Sequence, residues 1–298
     1  MRRVLSGKGN PVIWTLVLAQ LLVLTGLSGQ HLEAGGIIGV SNYRGDLSNN
    51  SVSLYLKETK GSFGLFGSYH FNDLFALRLG AQYAAISGDD ANAPSEVVRS
   101  RNLRFRSLLL EGSLVGEFYV PGYQPYNLAR PISPYIFAGI AGTYFNPQTD
   151  FGGETVSLQP LGTEGQGLPG FGRRYSRFAL SIPFGLGVKF ALTDLVNVGV
   201  ELGLRRSFSD YLDDVSGSYV SYEQLLAGNG PIAAALGNRT GEYLGSGPVS
   251  VETGSPRGDQ ARGDWYYILG VTLSWNFLDN GLVGGRGRNT RRQGCQTF

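Results

Sequence analysis

The chain has 298 residues, of which 45 are Gly, 12 % are aromatic and only 16 % are charged. A soluble domain carries about 25 % charged residues and a disordered chain lacks so many rings, so neither class fits. A net charge of +2 gives no reason to expect nucleic acid as a partner, and the single cysteine, Cys295, excludes an internal disulfide.

At the start, Arg2, Arg3 and Lys8 precede an apolar run from Val12 to Leu27 that ends in Ser28, Gly29 and Gln30. This is the layout of a secretory signal peptide, because about 16 apolar residues fall short of the roughly 20 that a spanning helix needs. The chain is therefore read as a signal peptide at 1–29, a β-barrel at 30–277 and a basic tail at 278–298.

Period-two alternation then predicts eight strands: Glu33–Tyr43, Ser62–Phe71, Phe75–Tyr83, Leu103–Phe118, Tyr135–Phe145, Phe178–Phe190, Val196–Leu204 and Trp265–Phe277. The last is the clearest. Trp265, Tyr267, Leu269, Val271, Leu273, Trp275 and Phe277 share one face, with aromatics at both ends and aliphatics between, as the two interfaces of a bilayer favour. The opposite face carries small and polar residues, which suit a narrow interior. Long connections after strands one, three, five and seven alternate with shorter ones after two, four and six, and Asn72-Asp73 and Thr193-Asp194 mark two tight turns. The segment from Pro121 to Pro134 is longer than a tight turn requires.

The expected fold is thus all-β: an eight-stranded antiparallel transmembrane barrel of the OmpA/OmpX kind. It would sit in the cell outer membrane in contact with its lipid, with long outer loops and both termini periplasmic. The largest outer loop, Ser209 to Gly263, contains Tyr222 to Leu236, where short helical turns broken at Gly228 to Pro231 are expected. A soluble β-sandwich is the rival architecture, but its loops would be more even and its surface more charged.

For chemistry the chain offers little. His31 and His70 are its only histidines, which leaves no basis for a triad, and His70 has the inward parity of Phe66 and Ser68 beside a turn, where a hydrogen-bonded barrel-end histidine is expected. No catalytic, cofactor-binding or metal residue and no cofactor is assigned. One acidic knot, Asp210, Asp213 and Asp214, is a candidate for a weak calcium site, against the alternative of a turn-rich loop capping its own amides. Arg78, Glu111, Glu117, Lys189, Glu201 and Arg205 all have inward parity. Both signs inside a narrow barrel predict a structural ion-pair network in place of a pore.

Five blocks in order also resemble a known family. They are Glu33 to Leu47; Arg101-Asn102-Leu103 with Phe105-Arg106-Ser107; Pro134 to Ala141 ending in Phe145-Asn146-Pro147; Asp210 to Tyr219; and Arg257-Gly258-Asp259 with Asp264-Trp265-Tyr266. This set resembles the DUF6089 outer-membrane proteins of Bacteroidota, which include PorG, a barrel component of the type IX secretion system. The resemblance implies a non-enzymatic scaffold that links the outer membrane to a periplasmic ring of PorK and PorN, acting through surfaces and not through catalysis. The alternative is a stand-alone barrel whose outer loops bind an external ligand or surface.

Overall fold

The computed structural model describes residues 31–48, 57–125, 131–261 and 263–277. The expected signal peptide and basic tail lie outside them. In chain order the elements are β1 (His31–Arg44), β2 (Lys60–His70), β3 (Phe75–Asp89), a short 3-10 turn (Asp90–Asn92), α1 (Glu96–Arg101), β4 (Arg104–Tyr119), β5 (Ile132–Phe151) and β6 (Glu154–Ser157). Then follow β7 (Phe178–Ala191), β8 (Val196–Ser207), α2 (Tyr222–Gly228), α3 (Pro231–Gly237), α4 (Thr240–Tyr243) and β9 (Trp265–Phe277).

Eight of these strands close into an antiparallel barrel in the order β1-β2-β3-β4-β5-β7-β8-β9, and β9 returns to β1 from Leu32–Phe277 to Arg44–Trp265. Closure leaves the barrel no free edge, which a lipid environment demands of any sheet. It also rules out the sandwich. The predicted strands are all present, but several run further toward the long-loop end. β5 extends to Phe151, past the expected Phe145, because its last residues pair with β6, a hairpin arm that stands on the barrel without joining the ring.

Side-chain parity follows the sequence reading. On β9, Tyr266, Ile268, Thr272, Ser274 and Asn276 are buried, while Leu269, Val271, Leu273, Trp275 and Phe277 face out. On the outer surface Ile38 and Leu65 are each 71 % exposed and Leu79 is 67 % exposed, values that belong to a face in contact with hydrocarbon and not with water. No helix among the described residues is long and apolar enough to cross a membrane.

The interior is too narrow for side chains everywhere, and glycine makes the room. Gly187 on β7 pairs with Tyr135 on β5, and the Tyr135 ring lies directly over it. A Cβ at 187 would meet Tyr135 Cε1 at 2.7 Å. Such aromatic-over-glycine pairing pins register in small barrels.

At the long-loop end the described parts of the connections pack together. Residues 45–48, 90–103, 152–177, 208–261 and 263–264 fold onto one another, and the apolar core of the upper barrel (Tyr43, Ile86, Phe105, Leu109, Phe145, Tyr266) continues into Leu47, Leu158, Leu212, Val215 and Leu236 from the loops. Helices α2 and α3 occur where helical turns were expected, and they break at Asn229-Gly230, with Gly230 at φ 91° and Pro231 opening the second helix.

Candidate functional site

Two regions hold buried polar chemistry: the lumen and the loop cap. In the lumen every charge read as inward is paired. Arg78 on β3 bridges Glu117 on β4 (2.9 Å) and Glu201 on β8 (2.6 Å), and its guanidinium also lies 5.0 Å from the Phe137 ring centroid. Arg205 reaches Glu111 at 3.3 Å, and Lys189 reaches Glu33 at 2.6 Å. Tyrosines join the pairs into a chain. Lys189 Nζ donates to the Tyr119 hydroxyl (2.8 Å), which donates to Glu117 (2.7 Å), and Tyr135 donates to Glu201 (2.8 Å). Charges this far from water persist only when paired and hydrogen-bonded.

Glu33 is the residue that the sequence reading left out. It lies near the start of β1 with the inward parity of Tyr43, and it accepts both Lys189 and the Nε2 of His70 (2.8 Å). His70 is therefore the hydrogen-bonded barrel-end histidine expected of it. His31 stacks on it with ring centroids 4.2 Å apart, and Tyr123 packs beside both rings. Tyr123 comes from the long connection after β4, whose length now has a use. Its hydroxyl donates to Asn197 (2.8 Å) and accepts from Asn276 (2.7 Å), so Tyr123 stoppers the short-turn end. In mid-barrel a cavity of about 30 Å³ is bordered by Arg78, Gln82, Glu111, Glu201 and Arg205, room for a water or two.

In the cap, blocks far apart in the sequence meet. The Arg101 guanidinium donates to both oxygens of Asp90 (2.8 Å each) and to the carbonyls of Asp46 and Arg257 (2.9 Å each), so one side chain ties three loops. Asp46 accepts the Asp259 amide at 3.0 Å. Arg257 donates to Glu164 (3.0 Å) and to the Asp214 carbonyl (2.8 Å), and the Glu164 carboxylate in turn caps the Ser216 and Gly217 amides. Burial works against the Arg257 charge, but Glu164 and Asp214 more than offset it and raise its pKa.

The acidic knot does not converge. Asp213 Oδ1 accepts Val215 N (2.9 Å) and its Oδ2 accepts Leu47 N (3.2 Å) and the Tyr43 hydroxyl (2.7 Å). Asp214, at φ 69°, turns away to Thr163 and Tyr175, while the Asp210 carboxyl lies toward Ser216. Three carboxylates with three separate partner sets cannot share a calcium ion. Among the described residues no group of three His, Cys, Asp or Glu side chains is placed to hold a metal. Burial pushes the pKa of Asp214 up to about 6, and burial also raises Asp210 to about 6.

No curated protein sequence matches the chain. Solved structures similar to it include the N-terminal β-barrel domain of Pseudomonas aeruginosa OprF, with 12 % identity over 84 % of this chain and 100 % of that one and a TM-score of 0.36. Neisserial surface protein A shows 13 % identity over 85 % and 99 % with a TM-score of 0.38, and Pseudomonas aeruginosa OprG shows 13 % over 84 % and 98 % with a TM-score of 0.37. The assignment rests on the family model for the outer membrane protein beta-barrel domain, which matches residues 16–223, well over half of the chain. With that match and a closed eight-stranded barrel, the chain belongs to the outer membrane protein β-barrel domain family.

Proposed function

We propose that this barrel is a non-enzymatic scaffold of the type IX secretion system, a PorG-like component that holds a PorK/PorN-like periplasmic ring to the outer membrane. The long loops lie outside and both termini are periplasmic. The carrying observation is that both ends are closed, by the loop cap and by Tyr123, around an ion-paired interior. A barrel whose described interior is filled by paired side chains offers surfaces for docking, which suits an anchor. The resemblance to the DUF6089 family supports the same reading, since four of its five blocks supply cap residues: Asp46, Arg101, Asp213 with Asp214, and Arg257 with Asp264. Gentle detergent extraction of a tagged barrel should bring down PorK and PorN, and a deletion strain should lose secretion of type IX cargo. Recovery of the barrel without either protein, together with normal secretion, would overturn the proposal.

A second reading is a stand-alone barrel that binds an external surface through its cap. It is favoured by Leu226, Ile232 and Leu244, which stand 41–61 % exposed on the loop between β8 and β9. Substituting those three by serine should abolish surface binding and leave secretion intact under this reading.

A further inference from the structure

Charged side chains on the outer face of the barrel wall are confined to one end. Along the strands, the outward-facing charges among the described residues are Arg44, Asp89, Arg104, Arg106, Asp150 and Arg206, all at the long-loop end. The outward positions at the short-turn end are apolar: Leu32, Phe75, Phe118, Ile132, Val196 and Phe277. The six charges divide by arc. On β3, β4 and β5 acid and base are mixed, and Arg106 pairs with Asp150 at 2.9 Å. On β1, β9 and β8 there is no outward acid among the described residues. There Arg44 is in register with Trp265, and Trp265 with Arg206, so two arginines flank one indole in a single row across three strands.

The row has the makings of a binding surface. Two strand spacings put the Arg44 and Arg206 backbones about 10 Å apart, within common reach of one headgroup. Arg206 lies over the Trp265 ring, 5.9 Å from its centroid, which holds that guanidinium at the height where indoles settle between headgroups and acyl chains. Neither arginine is in an ion pair among the described residues, and the carboxylates close along the chain are turned to other groups: Asp264 onto Tyr43 and the Leu212 amide, Asp46 onto the Asp259 amide, and part-buried Asp210, four residues past Arg206, toward Ser216. Unneutralised forked donors on either side of an indole match an anion with several oxygens, carried on a chain that can lie against Tyr267 and Leu269 below.

We propose that Arg44, Trp265 and Arg206 form a binding site for the phosphate monoester of a membrane lipid in the leaflet at the long-loop end. The site is independent of the secretion role and of which leaflet that is. The test titrates the detergent-solubilised barrel with bisphosphorylated lipid A and with its enzymatically dephosphorylated form, reading bound lipid by native mass spectrometry. The phosphorylated lipid should bind preferentially. Arg44→Gln with Arg206→Gln should lower its affinity by about fivefold per guanidinium, some 25-fold together. Arg104→Gln with Arg106→Gln, on the acid-balanced arc, should lower it less than threefold. Heat-dependent gel mobility confirms that each variant is folded. Equal binding of the two lipids, or equal losses in the two double variants, would overturn the site. So would full displacement by millimolar inorganic phosphate, which would mark a free-anion site instead of a lipid site.

Discussion

Asp213 and Asp264 face each other across one hydroxyl: Tyr43 Oη lies 2.7 Å from Asp213 Oδ2 and 2.6 Å from Asp264 Oδ1. A phenol has one proton, so it can donate to only one of them, and the other contact requires a carboxylic acid. Both oxygens of Asp213 already accept amides, and Asp264 Oδ2 accepts Leu212 N at 2.8 Å, which leaves Asp264 Oδ1 to carry the proton. Burial raises the pKa of both acids well above the usual carboxylate range, and the Asp213 charge raises that of Asp264 further.

The cap should therefore loosen as pH rises. A carboxyl whose folded pKa lies above its unfolded value favours the fold below the unfolded pKa, and that contribution is lost as pH climbs through the folded pKa. For fully buried Asp214, the rise from 3.8 to about 6 is worth roughly 3 kcal/mol, lost between about pH 4 and pH 6. Amide protection in residues 208–264, corrected for the intrinsic exchange rate at each pH, should be lower at pH 8 than at pH 5. Asp264→Asn, whose amide can still donate to Tyr43, should flatten part of that dependence. An unchanged pH profile in this variant would refute the proton assignment.

Arg101 should be the most sensitive position in the cap. Its removal strands Asp90, which is 2 % exposed, and frees two carbonyls, at a cost of about 3–5 kcal/mol to loop docking. Arg101→Ala should expose the loops to protease while the barrel keeps its heat-dependent gel shift. Arg101→Lys should rescue little, because an ammonium cannot span a bidentate carboxylate and two carbonyls at once.

In the lumen, Arg78→Met should destabilise the barrel by about 3–5 kcal/mol, since Glu117 and Glu201 would face each other unneutralised. Adding Glu117→Gln and Glu201→Gln should recover most of the loss. Urea midpoints in lipid vesicles measure both steps, and strict additivity of the three changes would contradict the network.

Gly187→Val should cost about 1–3 kcal/mol by pushing the Tyr135 ring off its seat and away from Glu201. Coupling to Tyr135→Phe checks the cause. The valine penalty should shrink in the phenylalanine background if the displaced hydrogen bond contributes to it.

Much of the architecture was legible in the sequence because a bilayer imposes a local rule. Each strand must show apolar residues to one side at every second position, and that pattern needs no knowledge of the neighbouring strand. The same parity placed Arg78, Glu111, Glu117, Lys189, Glu201 and Arg205 inside. It could equally have placed Glu33, whose parity matches Tyr43 but which lies near the start of its strand where the pattern is weakest.

Which inward charges pair was decided only by the closed barrel. Strand tilt and stagger set the level of each residue, so Lys189 meets Glu33 across 156 positions and Arg78 meets Glu201 across 123. The acidic knot shows the same limit. Neighbours in sequence suggested a shared ion, but the turn at Asp214 sends each carboxylate to a different loop, and those loops come together only when the ring of strands closes beneath them. Alternation along one strand is fixed by the solvent on its two sides, whereas partnership across the barrel is fixed by the geometry of closure.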